Sequence, residues 1–416
     1  MTNARIDGKR LWQSLMDMAA IGATAKGGVC RIALSEEDRQ ARDLFTSWCE
    51  QAGYTMRVDV FGNMFARRPG RDPDLPAVLV GSHLDSQPTG GKFDGAYGVL
   101  AGLEVLRSLD DMGLETLRPV EVVNWTNEEG AIFKPMIGSE VFTGAMPLAS
   151  AYAMPDPQGH TLEEDLRAIG YVGDTGLKPD PLHCYFEAHI EQGPILEREG
   201  MPIGVVTAGA GIRWYTLNLT GLESHAGPTP MDVRRDALVG AAEVVLAVRD
   251  IGRGHGEEGR GTVGCLVPYP ASPNVIPGRV EMTVDLRHAS EEALSAMHEE
   301  LGAAVAEIAA RHQLSADLKP TVHSPPIPFH RHVVGLIREA ARDLGLAHRD
   351  IVSGAGHDAC NIAKAIPTAM MFIPCENGIS HNEAENITED DAQAGANVLL
   401  QAVLRAANEA ERLDMS

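Results

Sequence analysis

No CxxC pair occurs among the six cysteines (Cys30, Cys49, Cys184, Cys265, Cys360 and Cys375), which are scattered along 416 residues. That scatter fits reduced, structural thiols in a soluble cytoplasmic protein better than a disulfide framework. A basic patch is missing too, the densest clusters being pairs such as Arg67 with Arg68 and Arg234 with Arg235. With 35 Lys and Arg against 58 Asp and Glu the net charge is −23, so nucleic acid and anionic membrane are excluded as partners. The longest apolar runs, near 77–80 and 369–373, are strand length and too short to span a bilayer. Residues 1–10 are polar and lack the apolar stretch of a signal peptide. There is no internal repeat and no low-complexity tract. A hydrophobic fraction of 44% with dispersed charge argues against disorder.

What is present alternates between strand and helix signals. Ser35-Glu36-Glu37-Asp38 reads as a capped helix start running toward Ala52. Strands over 55–60 and 64–67 flank Phe61-Gly62-Asn63, a hairpin signal. The apolar run 77–80 suits a strand buried on both faces, followed by a helix over 95–109 and a strand over 120–125. From about Ile212 the order becomes strand 214–220, helix 236–250, strands 262–267 and 280–287, helix 290–312 and strand 316–322. That is the β-α-β-β-α-β pattern of a ferredoxin-like unit, closed by Ser324-Pro325-Pro326-Ile327-Pro328. A helix over 334–344 and a core strand over 369–373 then resume the first pattern. The expected architecture is therefore α/β: a mixed-sheet domain (1–211 and 328–416) interrupted by an inserted α+β domain (212–327).

Five short segments gather His, Asp and Glu. His83 follows the buried strand, where ligands collect in open α/β sheets, and Asp85 is placed to accept a hydrogen bond from its imidazole. Gly90-Gly91-Lys92-Phe93-Asp94-Gly95 sets a single carboxylate, Asp94, at a tight turn, where it could bridge two cations. Asn127-Glu128-Glu129-Gly130 places adjacent carboxylates after a strand, able to supply one ligand and one general base. The segments around His189 (Glu187 to Gly193) and His381 (Ile379 to Glu383) each set a histidine among carboxylates. Taken singly, each has an ordinary structural reading: an orienting HxD, a solvated Glu-Glu face, a satisfied histidine. The histidines outside these segments and His225 are read as structural. Together the segments suit a pair of hard-to-borderline divalent ions and point to a two-metal hydrolase without naming its substrate.

At these residues the sequence resembles the M20 metallopeptidase-like amidohydrolases, within them the hydantoinase/carbamoylase branch. The matching stretches are GSHLDSQPTGGKFDGAYGVLAGLEVL, NWTNEEGAIF, FEAHIEQGPILE, ESHAGPTPMDVRRDAL, PNVIPGRVEMTVDLRH, SGAGHDA and ISHNEAE, in family order from residue 81 to 385. The resemblance implies a di-metal catalytic domain and an inserted domain serving as lid and homodimer contact. It makes His83, Asp94, Glu129, His189 and His381 ligands of two divalent ions (Zn²⁺, or Mn²⁺, Co²⁺ or Ni²⁺), with Asp94 bridging. Glu128 becomes the general base and Asp85 its catalytic-site companion. His225 becomes an oxyanion donor to the partner subunit's site. Asn274 and Arg287 would hold a substrate carboxylate, with Gln192 and the Gly354 to Gly356 backbone touching the ureido group or the carboxylate. From the residues alone, the preferred readings are Asn274 as a turn former and Arg287 as a surface partner of Asp285. One departure is Ile132, where relatives commonly carry Arg. The implied reaction is hydrolysis of N-carbamoyl-L-amino acids or N-carbamoyl-β-alanine. The alternatives are allantoate amidohydrolysis and, further off, aminoacylase or dipeptidase chemistry or a non-catalytic binding protein.

Overall fold

The computed structural model describes residues 4–177 and 181–415, so the first three residues of the polar N-terminal stretch lie outside it. The chain forms two compact units, one of residues up to Thr207 together with Pro328 onward, the other Ala208–Ile327.

The larger unit is built on a nine-stranded mixed sheet. Its central strands are parallel: Val120–Trp125, Ala77–His83, Leu182–Ile190 and Thr368–Ile373, neighbours in that order. Every residue of Ala77–His83, Val120–Trp125 and Thr368–Ile373 is buried, as strands covered by helices on both faces must be. Met64–Arg68 adds antiparallel to Val120–Trp125 and Thr55–Val58 to it in turn, the hairpin expected around Gly62. Because the four central strands run the same way, their carboxyl ends, and the segments that follow them, share one edge of the sheet. The glutamate and histidine clusters sit at that edge.

Glu36–Gln51 starts on the expected cap, Ser35, whose side chain accepts from the Asp38 amide. Ala96–Asp111 is almost wholly buried and packs against two helices that the sequence reading left unassigned, Gly8–Ala19 and Glu389–Ala406. Both carry their own caps, Asp7 and Thr388.

The smaller unit is a four-stranded antiparallel sheet in the order Ser315–Ser324, Gly211–Thr220, Arg279–His288, Arg260–Tyr269. The helices Ala237–Gly254 and Glu291–Arg311 supply the rest of its core. Tyr215, Leu217 and Leu219 alternate with outward residues and meet Val280, Met282, Val284 and Leu286 on the same face. This order and connectivity are those of the ferredoxin-like pattern expected from the sequence. A short ladder, Ser224–His225 against Val275–Ile276, continues the antiparallel pairing beyond Thr220 and Arg279.

Candidate metal centre

In the larger unit five expected ligands converge. His83, Asp94 and His189 offer donor atoms within 4.8 Å of one another, and so do Asp94, Glu129 and His381. Asp94 belongs to both groups, and each of its oxygens serves one of them. Oδ1 lies 3.1 Å from His189 Nε2 and 3.7 Å from His83 Nε2, while Oδ2 lies 3.5 Å from His381 Nε2. Glu129 Oε2 is 3.2 Å from His381 Nε2.

The ring nitrogens settle their own orientation. His83 Nδ1 is 3.0 Å from the Asp85 carbonyl and His189 Nδ1 2.9 Å from the Ile190 carbonyl. A carbonyl only accepts, so each Nδ1 carries a hydrogen and each Nε2 turns toward the carboxylates. Burial pushes His83 down to about 4, so it is a neutral imidazole ready to donate its lone pair. Burial also opposes charge on His189, yet the hydrogen bond and charge of Asp94 outweigh it and lift that ring to about 9. A place that holds a proton so firmly between imidazole and carboxylate is one where a cation is stabilised. Imidazole nitrogens, buried on His83 and His189 and more open on His381, face buried carboxylates in two sets that share one aspartate, and so fit two divalent ions.

Asp85 acts otherwise than expected. Its carboxylate stays 3.7 Å from His83 Nδ1, because the nearer main-chain carbonyl takes that hydrogen. The carboxylate instead accepts from the Glu128 and Glu129 amides at 3.2 and 3.1 Å, fixing the turn that presents both glutamates. Asn127 enters that turn at φ +57°, and Gln192 and His381 have φ +56° and +53°. Three non-glycine residues in the left-handed region beside one cluster show that the surrounding contacts dictate the backbone there. Gly95 is also left-handed, at φ +66°, and a Cβ there would sit 2.3 Å from His83 Cε1. Gly95→Ala should therefore displace His83 and weaken divalent-ion uptake at least about tenfold, as losing a group that orients a ligand does; calorimetric metal titration measures it.

Glu128 is buried, with Oε2 3.5 Å from His83 Nε2. Burial, then the charges of Asp358, Glu129, Asp85 and Asp94, hold its carboxyl well above the usual range. A carboxylate that binds a proton so readily is suited to taking one from water and returning it. Gln192 Nε2 donates to Asp94 Oδ2 at 2.8 Å, so in this structure the amide is engaged with Asp94. Gly356 lies against Met136, whose Cε a Cβ at that position would meet at 2.8 Å.

The expected groups of the smaller unit do not gather at one point. The ladder pairs His225 with Val275, and the Ala226 amide donates to the Asn274 carbonyl at 2.8 Å, so His225 and Asn274 are neighbours on an exposed tip. Arg287 is eight residues along its strand from Arg279, on the side away from that tip. At the strand rise per residue this is about 27 Å. Its guanidinium rests on Asp285, with contacts of 2.8 to 3.1 Å.

Sequence reasoning passed over several groups that the fold brings to the cluster. His357, read as structural, packs its ring 4.5 Å from that of His189 and bonds to Ser353 Oγ through Nε2. Glu187 is fully buried and accepts from Ser82 Oγ, Tyr185 Oη and the Ala359 amide. Ser380 and Glu385 stand behind Asp94. All four lie in stretches already singled out, Glu187 in EAHIEQG, His357 in SGAGHDA, and Ser380 and Glu385 in ISHNEAE, but none was given a role there.

The model of peptidase family M20/M25/M40 matches residues 79–405. An N-carbamoyl-L-amino-acid amidohydrolase of Rhizobium meliloti is 47% identical over 97% of this chain and 98% of its own. A ureidoglycolate hydrolase of Arabidopsis thaliana is 33% identical over 95% of this chain and 85% of its own. Among solved structures, a hydantoinase/carbamoylase family amidase of Burkholderia multivorans is 53% identical, covers 98% of this chain and 100% of that one, and superposes with a TM-score of 0.96. The chain therefore belongs to peptidase family M20/M25/M40 and, within it, to the hydantoinase/carbamoylase amidohydrolases.

Proposed function

We propose that the chain is a two-metal hydrolase that cleaves the carbamoyl C–N bond of N-carbamoyl-L-amino acids or N-carbamoyl-β-alanine. One water is consumed, and the free amino acid, CO₂ and ammonia are the products. The observation that carries the reading is Asp94, a buried carboxylate whose two oxygens serve two separate sets of donors. The name of the Rhizobium meliloti relative supports the substrate class.

His83, Asp94, Glu129, His189 and His381 would hold the two ions, which when bound supply Lewis acidity toward a carbonyl oxygen and lower the proton affinity of water. Glu128 takes the proton of the attacking water and returns it to the leaving nitrogen. Asp85 and Gln192 keep Glu128, Glu129 and Asp94 in place through the hydrogen bonds described above. His225 donates to the developing oxyanion. Asn274 and Arg287 hold the substrate carboxylate, where the guanidinium fork offers two parallel donors once it leaves Asp285. Because His225 and Asn274 lie beyond the Arg279 end of the strand, itself about 27 Å from Arg287, they are assigned to the sites of different copies in a homodimer. Arg287→Lys should then raise KM by about tenfold or more with a smaller change in kcat, since a single ammonium replaces a two-pronged contact; steady-state kinetics separate the two.

The second reading is a ureide of purine breakdown, either allantoate or, as the Arabidopsis relative's name indicates, ureidoglycolate. Side-by-side ammonia release on N-carbamoyl-L-amino acids, N-carbamoyl-β-alanine, allantoate and ureidoglycolate tests the choice. Turnover of a carbamoyl amino acid with the ureides inert is the expected outcome; turnover of a ureide alone overturns it.

A further inference from the structure

Glu385 is 1% exposed and lies 291 residues in sequence from Asp94, yet its carboxylate is the point where two ligand-bearing loops meet. Its Oε1 accepts from the Phe93 amide at 2.9 Å and the Asp94 amide at 3.1 Å. Its Oε2 is 2.9 Å from Ser380 Oγ, which is itself 2.8 Å from Asp94 Oδ2. The same carboxylate thus grips the backbone that carries Asp94 and, through Ser380, the oxygen of Asp94 that faces His381. Ser380 immediately precedes His381, so the arrangement also sets where that imidazole starts. Space is reserved for it: a Cβ on Gly91 would fall 1.9 Å from Glu385 Cδ. Gly91 is thereby accounted for by the carboxylate that passes over it, since its φ needs no glycine.

We infer that Glu385 is a positioning residue for the metal centre, a strut that locks the Asp94 loop to the His381 loop through Ser380. The inference rests on the two-metal reading above and adds a role that the ligand set does not contain. Acting through Asp94 and Ser380, Glu385 sets how tightly the ion at Asp94, Glu129 and His381 is held.

The test is calorimetric titration of Mn²⁺ into chelator-stripped wild type, Glu385→Ala, Glu385→Gln and Ser380→Ala, with the thermal midpoint of each metal-free form measured alongside. Alanine at 385 frees both amides, and affinity for one of the two equivalents should fall by about 10- to 100-fold, the scale for groups that orient ligands. Glutamine keeps an acceptor for both amides and can donate to Ser380 Oγ, leaving the hydroxyl hydrogen for Asp94; it should bind within about threefold of wild type. Ser380→Ala removes only the link and should weaken the same equivalent. It decides the matter should Glu385→Ala fail to fold.

Two equivalents with unchanged affinity in Glu385→Ala or in Ser380→Ala overturn the strut and leave the two-metal reading intact. Glutamine as weak as alanine contradicts it as well. Wild type that takes up no divalent ion overturns the two-metal reading itself.

Discussion

Glu128→Gln should bind two divalent ions as tightly as wild type and turn over about a thousandfold more slowly. The expected range is about 10²- to 10⁴-fold, the usual contribution of a positioned acid or base. The substitution keeps the side chain's volume in its buried site. It keeps the hydrogen bonds that the Glu128 and Glu129 amides donate to the Asp85 carboxylate as well, since these come from the backbone. What it removes is the ability to take a proton and give it back. Glu128 is set apart from its neighbours by its contacts: Glu129 is engaged by Gln87 and His381, whereas the Glu128 carboxylate faces His83 and the charges of Asp358, Asp85 and Asp94. Kinetics at saturating substrate with metal content measured on the same sample separate a lost base from a lost ligand. Normal metal content with normal kcat would assign the proton transfer to some other group.

Asp94→Ala has the other large expected effect, and on binding rather than proton transfer. Of the expected ligands, Asp94 is the one common to the set with His83 and His189 and the set with Glu129 and His381. Its loss should weaken both equivalents, each by more than about 100-fold, because removing a mere orienting partner already reaches that figure. His189 should respond too. Burial disfavours its charge, and the hydrogen bond and charge of Asp94, ahead of the charge of Glu187, lift it to about 9, so in metal-free Asp94→Ala its pKa should fall. Metal titration, with the imidazole resonances of metal-free protein followed by NMR, tests both statements. A variant that loses one equivalent and keeps the other at wild-type affinity would mean that the two sets do not share this residue.

The parts of the fold that could be read from the sequence are those with a local signal. The run at 77–80 is apolar because the strand is covered on both faces, and Phe61-Gly62-Asn63 turns because Gly62 takes φ +88°. The smaller unit is amphipathic element by element, so its alternation announces each strand. Leu182–Ile190 was not recognised as a strand. Glu187 and His189 interrupt its apolar run and are tolerated in its buried interior only because they form part of the cluster. The helix Glu389–Ala406 escaped for the opposite reason: from Gly395 to Val403 it is buried on every side, which erases the polar stripe that marks a surface helix.

The candidate site follows the same division. Its ligand residues stand out because histidines and acids crowd short segments, and family resemblance then sorts them. Asp85 was legible as a residue and illegible in its role, since no sequence distinguishes a carbonyl that orients His83 from a carboxylate that would. Glu385 meets Asp94, 291 residues away in the chain, and His357 meets His189, also distant in the chain, across strands whose order in the sheet sequence spacing does not encode. The separation of Arg287 from His225 and Asn274 is likewise a matter of register, visible only once Arg279 is paired with Thr220.

The central claim is that two ions held around Asp94 are needed for hydrolysis of a carbamoyl bond. The measurement that reaches it most directly is ammonia release from an N-carbamoyl-L-amino acid as Mn²⁺ is returned stepwise to chelator-stripped protein. Activity should be absent at the start, remain low through the first equivalent per chain and reach its plateau at the second. Full activity in stripped protein, or a plateau at one equivalent, would contradict the claim.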